Sequence, residues 1–251
     1  MSPGAIMFIG KVAFAAAGAM AGISLARTAR RTGGFPPEAW ASAMMFIGGA
    51  GLVSFAVGDA IGAGASALVR VAIVGGDFFE RLALSLLYLF VWFVFRRRDR
   101  WAKIVIAAGI ALLAMSFAFE LTTGNLPYHD SRSLAYQMSQ LVFALPFLWS
   151  AIESRVYHLR IRKQISLGLT DPMVCNRFLL WSAATAGFAG NCFAAWAASI
   201  AGATGHGGLE GAFSILRGVL YFLVAVTIVI GFHPPAAYRR FVTRTASSPR
   251  S

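Results

Sequence analysis

The chain has 251 residues, of which 58% are hydrophobic and only 13% charged, and its mean hydropathy is +0.68. That balance excludes a soluble domain of this length and points to a polypeptide solvated by lipid. The net charge of +12 does not argue for nucleic acid, because the basic residues are spread over short segments between apolar runs and no aromatic interleaving accompanies them.

A spanning helix needs about 20 mostly apolar residues. Seven stretches qualify: Ala5 to Ala26, Trp40 to Gly58, Gly76 to Phe95, Trp101 to Phe119, Leu134 to Ile152, Val174 to Ile200 and Ala212 to Phe232. The expected fold is therefore all-α, a polytopic bundle of seven transmembrane helices over residues 1–242. Residues 243–251 are expected to be a flexible polar tail. The first run carries Lys11, lacks a basic leader and has no small-residue cleavage site, so it reads as a retained helix.

Orientation follows from the basic residues. Arg27, Arg30 and Arg31 follow the first span; Arg96, Arg97, Arg98, Arg100 and Lys103 follow the third. Arg155, Arg160, Arg162, Lys163 and Arg177 flank the fifth loop, and Arg239, Arg240, Arg244 and Arg250 close the chain. The alternate loops hold Arg70, Arg132 and Arg217 alone. Seventeen against three places the N-terminus outside and the C-terminus in the cytoplasm of a bacterial inner membrane. Trp40, Trp92, Trp101, Trp149 and Trp181 all fall near the expected cytoplasmic ends, where an amphipathic ring suits the interface.

The fifth helix is expected to continue past the bilayer to a C-cap at Gly168, and Asp171 with Pro172 reads as the N-cap and first position of the sixth. On that extension Val156, Leu159 and Ile165 alternate with Arg155, Arg160, Arg162 and Lys163 beside His158. Such a segment can meet anionic headgroups or a protein partner, or simply set topology. Gly18 with Gly22 and Gly58 with Gly62 are small-residue packing cues. The third and seventh spans each follow a Gly-Gly pair and share an aromatic centre around Tyr88 and Tyr221, which permits a three-plus-one-plus-three arrangement with the fourth span as linker.

Charges inside spans are costly enough to need a reason. Lys11, Asp59, Asp77, Glu80, Arg81, Glu120 and Arg217 all fall in the outer third, with Gln137 and Gln140 at similar depth and Asn191 somewhat deeper. Lys11, Glu80, Arg81, Glu120, Gln137, Gln140, Asn191 and Arg217 are the candidate lining of an outward-facing polar pocket. The competing expectation is a salt-bridge network that only locks the bundle. At least one opposite-charge pair is expected among these residues.

His129, His158, His206 and His233 have no ligand spacing for a metal. Cys175 and Cys192 lie on one helix roughly 25 Å apart, too far for a disulfide. A retinal Schiff base needs a lysine in the last helix, and the only lysines are Lys11, Lys103 and Lys163. No nucleophile elbow, phosphate loop or dinucleotide fingerprint stands in a workable context, so neither cofactor nor enzymatic activity is expected.

The run Leu167-Gly168-Leu169-Thr170-Asp171-Pro172-Met173-Val174-Cys175-Asn176-Arg177-Phe178-Leu179-Leu180-Trp181, with Phe232-His233-Pro234-Pro235 and the Arg-Thr-Gly-Gly-Phe-Pro loop, resembles a widespread bacterial family of seven-helix membrane proteins. The resemblance covers most of the chain. It implies the fold, but no activity and no catalytic residues. The leading functional expectation is a sensor or receptor-like protein that binds a small ligand in the outer pocket and signals through its cytoplasmic loops. A small-solute or proton-coupled transporter comes second and a structural subunit of a larger complex third.

Overall fold

The computed structural model describes residues 3–32, 37–61, 66–126, 130–165 and 171–247. They form eight helices: α1 (Pro3–Thr32), α2 (Pro37–Ile61), α3 (Ala67–Phe95), α4 (Arg100–Thr122), α5 (Leu134–Ile165), α6 (Pro172–Ala203), α7 (Gly207–Phe232) and α8 (Ala236–Ser247). Six of them, α1, α2, α3, α4, α6 and α7, are long and apolar enough to cross a membrane. The chain is a helical multi-pass membrane protein. By length and apolarity alone the count is six rather than seven, because α5 dilutes its apolar half with Gln137, Ser139, Gln140 and Ser150 and ends in a basic segment.

Neighbouring helices pack in the order α1, α2, α3, α5, α6, α7, and α7 closes the ring against α1. Helix α4 sits outside this ring, in the groove between α3 and α5. The upper end of the bundle is the one at which α1, α3, α5 and α7 begin; α8 lies at the lower end, against α6.

Two close helix crossings shape the upper half. A Cβ on Gly10 of α1 would fall 2.6 Å from the Gly218 carbonyl oxygen of α7, and one on Gly51 of α2 would fall 2.7 Å from the Gly76 carbonyl oxygen of α3. Those distances to backbone leave room for hydrogen only, which is why small residues occupy such contacts. The crossings are not those the sequence suggested. Gly18 makes only ordinary contact with Met45, whereas Gly22 and Gly58 do pack tightly, against Phe46 and Ile73. Gly62, like Gly168, the 33–36 loop and His129, lies outside the described residues.

The helix ends follow local chemistry. Asp171 caps α6, its Oδ1 accepting from the Met173 amide at 2.8 Å, with Pro172 in the first turn. Helix α3 starts at Ala67, well before the expected Gly76, because Ser66 caps it and accepts from the Val69 amide. The Gly75-Gly76 pair belongs to the crossing with α2 and does not mark a helix start. Residues 243–247, expected as frayed tail, continue α8. Tyr238 anchors that helix by accepting a hydrogen bond from Asn176 Nδ2 at 2.8 Å.

Gly76→Ala and Gly10→Ala should each destabilise the protein by about 1–3 kcal/mol, since the clashing atoms are backbone and cannot rotate away. Gly75→Ala, whose added methyl meets nothing within 4 Å, should be neutral or slightly stabilising through helix propensity. Thermal unfolding of the three variants in one detergent checks the contrast.

Candidate functional site

The most heavily bonded charge in the bundle is Arg81 on α3. Its Nε donates to Asp77 Oδ2 at 2.6 Å, one turn earlier on the same helix. Its terminal nitrogens donate to Glu120 Oε1 at 2.9 Å and Ser116 Oγ at 2.6 Å on α4, and more weakly to Ser139 Oγ on α5 at 3.4 Å. The guanidinium plane also lies 4.7 Å from the Phe143 ring centroid and 5.3 Å from that of Phe117. Arg81 is 5% exposed and Glu120 3%. At that burial an ion pair holds only if its geometry is good and its remaining hydrogen-bonding capacity is used, and here the planar fork meets two carboxylates and two hydroxyls. This cluster ties α4 and α5 to α3.

Beside it lies a cavity of ≈ 390 Å³ at the centre of the ring. Lys11, Glu80, Glu120, Gln140, Asn191 and Arg217 line it, together with Asp77. Arg81 does not line the cavity; its contacts are to α4 and α5. Gln137 is also absent from the wall and donates instead to the Arg132 carbonyl at the rim. The side chain of Asp59 lies outside the described residues.

The wall is layered along α1, α3, α5, α6 and α7. From the upper end downwards, α1 presents Lys11 and then Phe14, α3 presents Glu80 and then Leu84 and Leu87, and α5 presents Tyr136, Ser139 and Gln140 before Phe143 and Phe147. Helix α7 presents Ser214 and Arg217, then Tyr221 and Ile228; α6, running the other way, has Ser199 and Asn191 above Phe188 and Trp181. Helix α2 contributes only apolar side chains and the small Gly48 and Gly49. The polar side chains thus concentrate in the upper half of the cavity, with Met7, Leu52 and Phe55 beside them, and the lower half is mostly aromatic and aliphatic, with Thr185 a polar exception in its wall. At its mouth Arg132 pairs with Glu210 at 3.1 Å, across Gly202.

The crossing glycines set this arrangement. Lys11 and Arg217 each stand next to a member of the Gly10 and Gly218 contact, so the α1–α7 crossing brings two cations to one level. Gly51 leaves space for the Glu80 side chain, whose Cγ would lie 3.1 Å from an added methyl there. Glu80 falls within coulombic range of Lys11, Arg81 and Arg217. Lys11 also lies over the Phe55 ring, 5.3 Å from its centroid.

Hydrogen bonding in the cavity wall is incomplete. Tyr136 and Tyr221 stand beside Arg217, and Tyr221 beside Asn191, yet Glu80 Oε1, Asn191 Oδ1, Ser199 Oγ and Arg217 Nε are buried without a hydrogen-bond partner. An apolar bundle in lipid offers nothing to offset such groups, so each of these atoms calls for a water or a ligand. Sequence reasoning does not place Tyr136, Tyr221, Ser116 or Ser139 in the polar site and names Tyr221 only as the aromatic centre of its span, although Ser116, Tyr136 and Tyr221 each stand four residues from a residue that it does place there.

The lower end holds α3, α5 and α6 together. Arg96, just past α3, donates through Nε to both oxygens of Glu153 at 2.9 Å, bonds Asp99 at 3.2 Å and lies 5.4 Å from the Trp101 ring centroid. The hydrogen bond to Glu153 pushes the Arg96 pKa up from its ordinary value. Phe95, Tyr157 and Phe178 pack edge to face, joining α3, α5 and α6. The α5 extension docks on α6 through buried Ser154, His158 and Ile161. His158 faces inward, its Nδ1 2.9 Å from the Cys175 carbonyl oxygen. Arg155, Leu159, Arg160, Arg162 and Lys163 remain exposed on the opposite face. Among the described residues no three His, Cys, Asp or Glu side chains gather in the way a metal site requires.

Comparison with protein-family models, with curated proteins and with solved structures finds no match for the chain.

Arg81→Met leaves Asp77 and Glu120 without their counter-charge and should cost about 3–5 kcal/mol. Adding Asp77→Asn and Glu120→Gln should recover most of that loss, because the buried charges then disappear together. Unfolding midpoints of the single and triple variants test this directly.

Proposed function

We propose that the chain is a receptor-like protein of a bacterial inner membrane that binds a small polar ligand in the central cavity, entered from outside, and signals through its cytoplasmic face. The observation that carries this reading is the gathering of buried, unpartnered polar atoms from α3, α6 and α7 around one cavity: four of the eight such side-chain atoms among the described residues stand on its wall, whereas the Arg81 cluster satisfies its own members. The pair of Arg96 and Glu153 joins the end of α3 to the α5 extension, giving a shift of α3 at Glu80 a route to the exposed basic face of Arg155, Arg160, Arg162 and Lys163. That face suits anionic headgroups or an acidic protein partner.

The proposed topology counts α5 as a seventh crossing and places the upper end outside, which rests on the charge bias of the loops. The ring of three helices, a peripheral fourth and three more also favours a second reading, a small-solute transporter built from two parallel halves.

Two measurements check these proposals. A single cysteine at Arg97 should resist a membrane-impermeant thiol reagent in intact cells, and one at Thr204 should react; the native Cys175 and Cys192 are buried and give little background. Labelling at Arg97 from outside would invert the topology. In nanodiscs, at least one member of a panel of small polar metabolites should raise the unfolding midpoint of the chain, but not that of an Ala195→Trp variant with a filled cavity. If no metabolite separates the two proteins, the binding function fails, and accumulation of the stabilising compound by proteoliposomes would favour transport over sensing.

A further inference from the structure

The chemistry of the cavity wall narrows the class of ligand, an inference that rests on the binding function proposed for the cavity. Three cations, Lys11, Arg81 and Arg217, stand with three anions, Asp77, Glu80 and Glu120, at one level of the bundle, all of them buried except Glu80 and Arg217, which are half-buried. Their formal charges cancel. A bare anion or cation entering this level would leave one buried charge uncompensated, which an apolar bundle tolerates poorly, whereas a ligand of zero net charge leaves the balance intact.

The unpartnered atoms are specific about polarity. Glu80 Oε1 and Asn191 Oδ1 can only accept hydrogen bonds, Arg217 Nε can only donate, and Ser199 Oγ can do either. A ligand matching all of them carries hydrogen-bond donors for Glu80 and Asn191 and an anionic acceptor for Arg217. Under the polar layer the wall offers Phe14, Leu84, Phe147 and Phe188, a surface that rewards an apolar tail and penalises a polar one. The volume of ≈ 390 Å³ lies at the small end of the range of about 300–1,000 Å³ typical of ligand pockets.

We infer that the ligand is a zwitterionic amino acid with a large apolar side chain. Its ammonium meets Glu80 and Asn191, its carboxylate meets Arg217, and its side chain points down onto the packed rings of Phe14, Phe147 and Phe188. Lys11, one turn above Phe14, adds positive potential on the carboxylate side.

The experiment uses the full chain in lipid nanodiscs and measures binding calorimetrically. The probes are phenylalanine, leucine, phenethylamine, 3-phenylpropionate and alanine. Phenylalanine or leucine should bind. The amine without a carboxylate, the acid without an ammonium and the amino acid without a tail should each bind roughly tenfold or more weakly, the expected loss for an unmade hydrogen bond to a charged group or an unfilled apolar site. Glu80→Gln should weaken phenylalanine by a similar factor, and Arg217→Lys should weaken it less than Arg217→Gln. Equal binding of phenethylamine or 3-phenylpropionate by the native chain overturns the zwitterion and leaves the cavity a site for another small molecule. Failure of both phenylalanine and leucine to bind also overturns the inference; the metabolite panel then decides separately whether the cavity binds anything.

Discussion

A charge buried in an apolar bundle must find its partner inside the bundle, because lipid supplies none. The upper half of this protein is organised by that constraint. Arg81 could not be held in the apolar interior without Asp77 and Glu120, and holding it there fixes α4 and α5 against α3. Once α3 is fixed, the contact of Gly51 with Gly76 positions α2, and the Gly10–Gly218 contact brings α1 and α7 together around the remaining space.

That space differs from the Arg81 cluster in one respect. Around Arg81 the donors and acceptors meet one another; around the cavity Glu80, Asn191, Ser199 and Arg217 each keep an atom unmet. The contrast within one layer of one protein supports binding as the purpose of the second set. The lower half is built differently, from aromatic contacts and the ion pair of Arg96 with Glu153, which tie α3, α5 and α6 together below the cavity. A polar chamber above such a layer suits the proposed sensing, or one state of a carrier.

Much of this is legible in the residues, for identifiable reasons. Apolar length locates most helices, and Asp171 with Pro172 announces the start of α6 because capping is local chemistry. Helix α3 is longer than its sequence suggests because Gly75-Gly76 looks like a break until its neighbour α2 is known. Helix α8 stays hidden because a short amphipathic helix reads as a polar tail by hydropathy. The ionisable lining is legible from its cost alone, but whether Arg81 faces the cavity or α4 depends on tertiary packing. The tyrosines are not recognised as site residues because they are ordinary in membrane helices; the spacings Tyr136 to Gln140 and Arg217 to Tyr221 would place them on the same helix faces. His158 reads as part of an exposed basic face, yet one position along a helix turns a side chain by about 100°, enough to bury it.

The central claim is that the unmet polar atoms form one site and are occupied when the protein is at work. A density map of the full chain in lipid nanodiscs, prepared with and without added small metabolites, tests it most directly. The account predicts non-protein density within hydrogen-bond reach of Glu80 Oε1, Asn191 Oδ1 and Arg217 Nε, either ordered water or a small molecule. A map in which those side chains close on one another and the cavity is filled by protein would contradict it.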